Sequence, residues 1–255
     1  MPDRCERVAH RGGSQLAPEN TLAAFRHALT LPIDAIELDV QMIRDGQLVV
    51  FHDNTMERLT NGMGNVLDLD FAYLRSLNAA AHFAGGWPEP QQIPTLREVL
   101  TLVRGHVKLY IEIKRSQRNG SYGRYPQIAQ AVVSEVQATA MVDQVVVISF
   151  DWSVLAEVKS LEPAIETGMI VSRSVWNPDA AQAVEMLMEQ ASSLQCGWIN
   201  LDLRLFTPEI LAAVHHHGLK EGIWTVNTEA GLRSLAEAGV DSLTSDRPDL
   251  FAVLG

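Results

Sequence analysis

Residues 35–53 read AIELDVQMIRDGQLVVFHD. Glu37 and Asp39 stand two apart in a run with strand character, so both side chains fall on one face with their Cα atoms about 7 Å apart. Asp45-Gly46 is the dipeptide favoured in a two-residue hairpin turn. With that turn Arg44 faces Gln47, and the same ladder sets Asp39 opposite His52. A second run, KLYIEIK at residues 108–114, aligns Glu112 and Lys114 on one face by the same alternation. Three carboxylates gathered at strand ends would raise one another's pKa, a conflict that a divalent cation removes. An all-oxygen donor set without Cys selects a hard ion, Mg2+ or Ca2+, over zinc.

A further stretch, AHRGGSQLAPENT at residues 9–21, puts a His beside an Arg where the chain must turn. Alone it describes a strand ending in a Gly-Gly turn with solvated side chains. Taken with the other runs, His10, Arg11, Glu37, Asp39, His52, Glu112 and Lys114 form a set of two imidazoles, three acids and two cations. Such a set suits phosphoryl transfer: the cations and a metal neutralise a phosphodiester while one His takes a proton and the other gives one. Gly12 and Gly13 would then let the backbone approach the substrate. Lys114 is open to a second role, as the salt-bridge partner of Glu112, and Trp224 either packs on a substrate or fills the interior. A Schiff-base aldolase or isomerase built on Lys114 would leave the acids and both His without a joint role. His215, His216 and His217 fall in a helical pattern, where neighbours point about 100° apart, and read as a solvated helix end. Met186 and Met188 read as helix packing.

Short β-branched runs alternating with helical patterns must position these groups, the pattern of a parallel α/β sheet. The strands expected are 8–10, 35–40, 109–114, 145–149, 168–171, 198–201, 223–226 and 240–244, with 48–52 as an extension of the second. Eight main strands in 255 residues predict a TIM-type (β/α)8 barrel and one domain over 1–255. Asn20-Thr21, Asp151, Thr207-Pro208 and Thr228 offer helix starts, and Gly218 and Gly239 offer stops. Residues 53–92 break the alternation with four glycines and two prolines and predict an inserted cap subregion. Residues 172–195 carry no usable motif and are expected to shape the alcohol side of a pocket.

Hydrophobic residues at 47% and charged residues at 20% are those of an ordinary globular chain. The net charge of −11 argues against nucleic acid or an anionic membrane as the main partner. Two isolated cysteines, Cys5 and Cys196, give neither a disulfide framework nor a thiolate zinc site. Without a signal peptide pattern or an apolar run of spanning length, a cytoplasmic protein without stable membrane association is expected, with no oligomeric state implied.

The ordered set His10-Arg11-Gly12, Pro18-Glu19-Asn20-Thr21, Glu37-Leu38-Asp39-Val40, His52-Asp53, Glu112-Ile113-Lys114, Trp224-Thr225-Val226-Asn227 and Asp246-Arg247-Pro248 resembles the glycerophosphodiester phosphodiesterase family, most closely its short soluble bacterial type. The resemblance runs over nearly the whole chain and departs from the family at Ser245, where Thr often precedes the Asp. It implies a TIM barrel with a small insertion and hydrolysis of a small-molecule glycerophosphodiester to sn-glycerol 3-phosphate and an alcohol. It further implies His10 and His52 as general acid and base, Glu37, Asp39 and Glu112 as ligands of one divalent cation, and Arg11 and Lys114 as phosphate contacts, with Trp224 the candidate substrate contact left open above. A lysophospholipase D-like enzyme reuses similar residues, and a silent binding barrel would lack turnover; the first should show an apolar or basic rim, which the acidity argues against.

Overall fold

A computed structural model describes residues 5–255. The β-branched runs form strands β1 (Glu6–His10), β2 (Ala35–Met42), β4 (Lys108–Ile113), β7 (Val145–Ser149), β8 (Glu166–Val171), β9 (Trp198–Asp202), β10 (Lys220–Trp224) and β11 (Ser242–Ser245), with short strands β3 (Leu48–Val50), β5 (Ser116–Arg118) and β6 (Ser121–Gly123) outside that series. The first eight pair in parallel, and β1 pairs with both β2 and β11, so the sheet closes. The chain is therefore a TIM-type α/β barrel, as the alternation predicts. The last strand starts at Ser242 and not at Val240, because the Val240 amide still donates to Leu235 of the preceding helix.

Helices α1 (Leu22–Ala28), α2 (Phe71–Ser76), α3 (Leu96–Val103), α4 (Ile128–Ala138), α5 (Trp152–Leu161), α6 (Ala183–Ser193), α7 (Pro208–His216) and α8 (Glu229–Ala238) complete the chain. Their starts follow from side-chain caps. Thr21, Asp151, Thr207 and Thr228 each accept a backbone N–H from the first turn, and Thr95 with Glu98 forms a reciprocal capping box on α3. Gly239 closes α8 at φ 92°. Of the two methionines in α6, Met188 is buried as expected, but Met186 is 61% exposed and faces away from the core.

Along β2, Ile36, Leu38, Val40 and Met42 point outward into the apolar layer shared with the helices, and Ala35, Glu37, Asp39 and Gln41 take the other face. The barrel floor is filled by a separate cluster including Val8, Tyr110, Val146 and Trp198. This division puts polar side chains above an apolar plug, toward the C-terminal ends of the strands.

The hairpin register differs from the expectation. The pairs are Val40 with Val50, Gln41 with Val49 and Met42 with Leu48, so Asp39 stands opposite Phe51, whose amide donates to its carbonyl at 3.0 Å, and not opposite His52. The loop is one residue longer than a two-residue turn: Arg44, Asp45 and Gly46 lie between Ile43 and Gln47, whose backbones bond at 3.0 Å, and Gly46 takes φ 83°. Asp45 holds that loop by accepting the amides of Gln47 and Phe71. A continued ladder would turn His52 to the outer face with Leu38. Instead β3 ends at Val50, and Gln41 draws the chain inward by donating Nε2 to the carbonyls of Phe51 and Asp53.

Residues 53–92 contain α2 and a 3-10 turn at Val66–Asp68 over a second apolar cluster of Phe51, Met56, Val66, Leu74 and Ile93. No helix among the described residues is long and apolar enough to cross a membrane. Cys5 and Cys196 are both free thiols.

Candidate active site

The C-terminal mouth of the barrel holds a cavity of about 200 Å³. It brings together all eight residues singled out from the sequence except Asp39, which lies just behind its wall: His10, Arg11, Glu37, His52, Glu112, Lys114 and Trp224 line it. None of residues 172–195 reaches it, so that segment does not shape this cavity. Trp176 instead packs on the outer core and donates Nε1 to the Ala183 carbonyl at 3.2 Å.

Strand register builds the acidic cluster. Asp39 is the direct neighbour of Glu112 across β2 and β4, and His10 is the neighbour of Glu37 across β1 and β2. Carboxylate oxygens of Glu37, Asp39 and Glu112 lie within 4.8 Å of one another, and all three residues are buried. Burial, then the charge of Asp39, raises the Glu37 carboxyl well above the usual carboxylate range. Burial also works against ionised Asp39, but Lys114 and Arg11 overcome it and hold its pKa below the ordinary value. Lys114 lies 3.3 Å from Asp39 and 2.9 Å from Glu112. Arg11 Nε lies 3.2 Å from Asp39.

This cluster fits a hard divalent cation. It offers three carboxylates at coordination spacing, Asp39 Oδ1 is buried without a hydrogen bond, and Glu37 is pushed toward its neutral form while only two cations face three acids. Asn20, which the sequence marks as a helix start beside Thr21, holds the third side of the cluster: it donates Nδ2 to Asp39 Oδ2 at 2.8 Å, while Thr21 alone caps α1. Lys114 is unsuited to a Schiff base, since burial would lower its pKa but Glu112 and Asp39 keep it raised and cationic.

Each imidazole has its own carboxylate. His10 Nδ1 meets Asp246 Oδ1 at 2.6 Å, and Asp246 in turn accepts from Ser14 and Asn227. His52 Nδ1 meets Asp53 Oδ1 at 2.6 Å. Both aspartates are half-buried, which disfavours their charge, yet hydrogen bonds, from His10, Ser14 and Asn227 to Asp246 and from His52 and Arg58 to Asp53, hold them well below the usual carboxylate range. An aspartate on Nδ1 fixes the tautomer and leaves Nε2 for proton transfer. Both aspartates belong to the sequence motifs, but only their position beside Nδ1 reveals this part.

Arg58, from residues 53–92, binds Asp53 through Nε at 2.5 Å and Glu19 through Nη2 at 2.9 Å, and Glu19 accepts from Arg11 at 2.8 Å. A continuous chain of hydrogen bonds thus links His52 to Arg11. Nothing in the sequence pattern singled out Arg58.

The glycines of the first loop do something other than expected. Gly12 and Gly13 take φ of 80° and 91°. A Cβ on Gly12 would lie 2.9 Å from Ala24, and one on Gly13 would lie 2.8 Å from Pro248. They are required by the turn and by close packing on α1 and the chain end, not by approach to the cavity. Opposite the acids, Ile148, Phe150, Ile170 and Trp224 form an apolar wall. Trp224 packs edge-on against Phe150 at 5.7 Å and donates Nε1 to the Asn200 carbonyl. His215, His216 and His217 stay at the end of α7, where His215 bonds Asp241 and His217 bonds the Ala213 carbonyl.

A parallel α/β barrel with its polar cluster at the C-terminal mouth is the architecture of a barrel enzyme. Residues 10–250 match the model of the glycerophosphoryl diester phosphodiesterase family. A glycerophosphodiester phosphodiesterase of Bacillus subtilis is 33% identical over 98% of this chain and 86% of its own length. One from Caldanaerobacter subterraneus is 34% identical over 95% and 94%. A phosphodiesterase structure from Oleispira antarctica, solved in complex with the product sn-glycerol-3-phosphate, superposes with a TM-score of 0.79 at 27% identity, covering 98% of this chain and 97% of that one. The chain belongs to the glycerophosphoryl diester phosphodiesterase family and is a phosphoric diester hydrolase.

Proposed function

We propose that the protein hydrolyses small-molecule glycerophosphodiesters in the cytoplasm, releasing sn-glycerol 3-phosphate and an alcohol, in a reaction that depends on one divalent cation, Mg2+ or Ca2+. The carrying observation is three carboxylates within 4.8 Å of one another in a cavity that also presents two aspartate-oriented imidazoles. Glu37, Asp39 and Glu112 would hold the ion, which supplies Lewis-acid neutralisation of the phosphodiester oxygens. Arg11 and Lys114 share the phosphate charge, and Trp224 packs on the glyceryl carbons. One of His10 and His52 removes a proton from the attacking hydroxyl, and the other gives a proton to the departing alcohol oxygen. The attacking group is the glycerol 2-hydroxyl, which forms a cyclic phosphate later opened by water. The binding of sn-glycerol-3-phosphate by the Oleispira antarctica relative supports the product assigned. The single 1–255 domain is read as this catalytic barrel and 53–92 as a cap over its mouth. A cavity of only about 200 Å³ supports a glyceryl group over an acylated one, and so a glycerophosphodiester over a lysophospholipid.

The test is release of glycerol 3-phosphate from glycerophosphocholine and glycerophosphoethanolamine with Mg2+, with Ca2+ and with excess EDTA. EDTA should abolish turnover, and His10→Ala or His52→Ala should each lower kcat about 100-fold or more. A 2-deoxy substrate should not turn over; normal turnover would replace the cyclic route by direct attack of water. No release from either diester with either metal would overturn the assignment.

A further inference from the structure

A second cleft, of about 510 Å³, adjoins the catalytic cavity and shares His52 and Lys114 with it. Its far side is the β5–β6 hairpin, which the strand alternation did not anticipate. The hairpin is docked firmly: the Gln117 amide donates to Asn54 Oδ1 at 2.8 Å, Asn65 donates to the Gln117 carbonyl at 2.8 Å, and Ser116 bonds Gln41. Asp53 is the one acid on the cleft wall, and His52 and Arg58 already claim both of its oxygens. Arg115 is half-buried and lies on the Tyr122 ring, 5.1 Å from its centroid. Among the described residues no carboxylate lies within 4 Å of it, although the chain as a whole carries a net charge of −11.

Resting on the phosphodiesterase reading above, we propose that this cleft receives the leaving alcohol and that Arg115 selects alcohols carrying their own anionic group. The central cavity ends against an apolar wall and suits the invariant glyceryl half. The departing half differs among substrates and needs a space open to solvent, and His52 at the junction is the proton donor for an oxygen leaving that way. A quaternary ammonium such as choline would seek an aromatic face, but the Tyr122 face in the cleft is already covered by Arg115. It would also meet an uncompensated like charge, whereas a phosphate or carboxylate would find a planar donor without a competitor.

Three diesters with the same glycerophosphoryl half separate the possibilities: glycerophosphocholine, with a cationic alcohol; glycerophosphoglycerol, with a neutral one; and bis(glycerophospho)glycerol, with an anionic one. Wild-type kcat/KM should rise in that order, with about tenfold between the extremes at low salt and less at high salt. Arg115→Lys should keep the order, Arg115→Ala should flatten it, and Arg115→Glu should reverse it, with unfolding midpoints unchanged. A flat wild-type order, a preference for the choline ester, or an Arg115→Glu order equal to that of wild type would overturn the proposal while leaving the phosphodiesterase reading intact. Failure of all three diesters to release glycerol 3-phosphate would overturn both.

Discussion

His10 and His52 arrive from different strands, yet each rests Nδ1 on an aspartate at 2.6 Å. The carboxylate of Asp246 accepts on both oxygens, with His10 and Ser14 on one and Asn227 on the other, so an amide in its place must turn its NH2 toward one of these donors. Asp246→Asn should therefore lower kcat by about 100-fold to 10,000-fold, because an amide no longer secures the tautomer that exposes Nε2. KM should move little and the fold should persist. Steady-state kinetics on glycerophosphocholine check this, and a loss confined to KM would show that Asp246 serves binding instead. The acidic cluster was legible because strand alternation alone sets Glu37, Asp39 and Glu112 on converging faces. Asp246 was present in a motif without a role, since its contact spans 236 residues of sequence and no local pattern reports such a pairing. Asn20 was misjudged for the opposite reason: beside Thr21 it satisfies a local capping rule, and the tertiary bond to Asp39 overrides it.

At the scale of elements, Arg58 ties the segment 53–92 to the first loop of the barrel mouth. Arg58 grips Asp53 and Glu19 with paired bonds on each, 2.5 and 2.8 Å to the first, 2.9 and 3.1 Å to the second. Half-exposed ion pairs of this kind add about 1 kcal/mol or less to stability, so the value of Arg58 lies in holding Asp53, and through it His52, against the Arg11 loop. Arg58→Ala should reduce kcat about tenfold with a small change in unfolding midpoint. Arg58→Lys should rescue little, since an ammonium cannot bridge two carboxylates with a planar fork. Measuring kcat, KM and thermal unfolding for both variants separates this positioning role from a purely structural one, which would lower the midpoint and leave kcat intact. The hairpin before this segment shows where local rules stop. Asp45-Gly46 correctly announced a turn, but the same dipeptide serves a two-residue and a three-residue loop. The choice was made by Asp45 bonding Phe71, a contact outside the hairpin.

The barrel as a whole was legible because eight buried strands leave eight β-branched runs, and closure of β1 on β11 follows from their number and right-handed crossovers. What strand patterns do not report is a charge misplaced in the wall. Glu221 lies in β10 between the inward-facing Lys220 and Gly222, on the outer face beneath α7. It is fully buried, and neither carboxylate oxygen has a hydrogen-bond partner. Burial, aided by nearby Asp241, pushes its pKa up to about 8. Asp241 itself accepts from His215 and from the Glu221 amide, so it offers Glu221 no donor. In the unfolded chain a glutamate titrates near 4.3, so between about pH 4.3 and 8 the unfolded state gives up a proton that the folded state keeps. Stability from this group is complete below that window and is lost as pH rises through it, by up to about 1.4 kcal/mol per pH unit. Asp53 and Asp246 work in the opposite sense, since their lowered pKa values contribute stability that is lost on acidification. Glu221→Gln keeps the shape and removes the titration. Its unfolding midpoint should match wild type near pH 4.5 and exceed it by several degrees at pH 8, with kcat unchanged because the residue is remote from the mouth. Calorimetry of both proteins across that range decides the matter: a midpoint difference that does not vary with pH would mean that Glu221 is ionised in the folded wall.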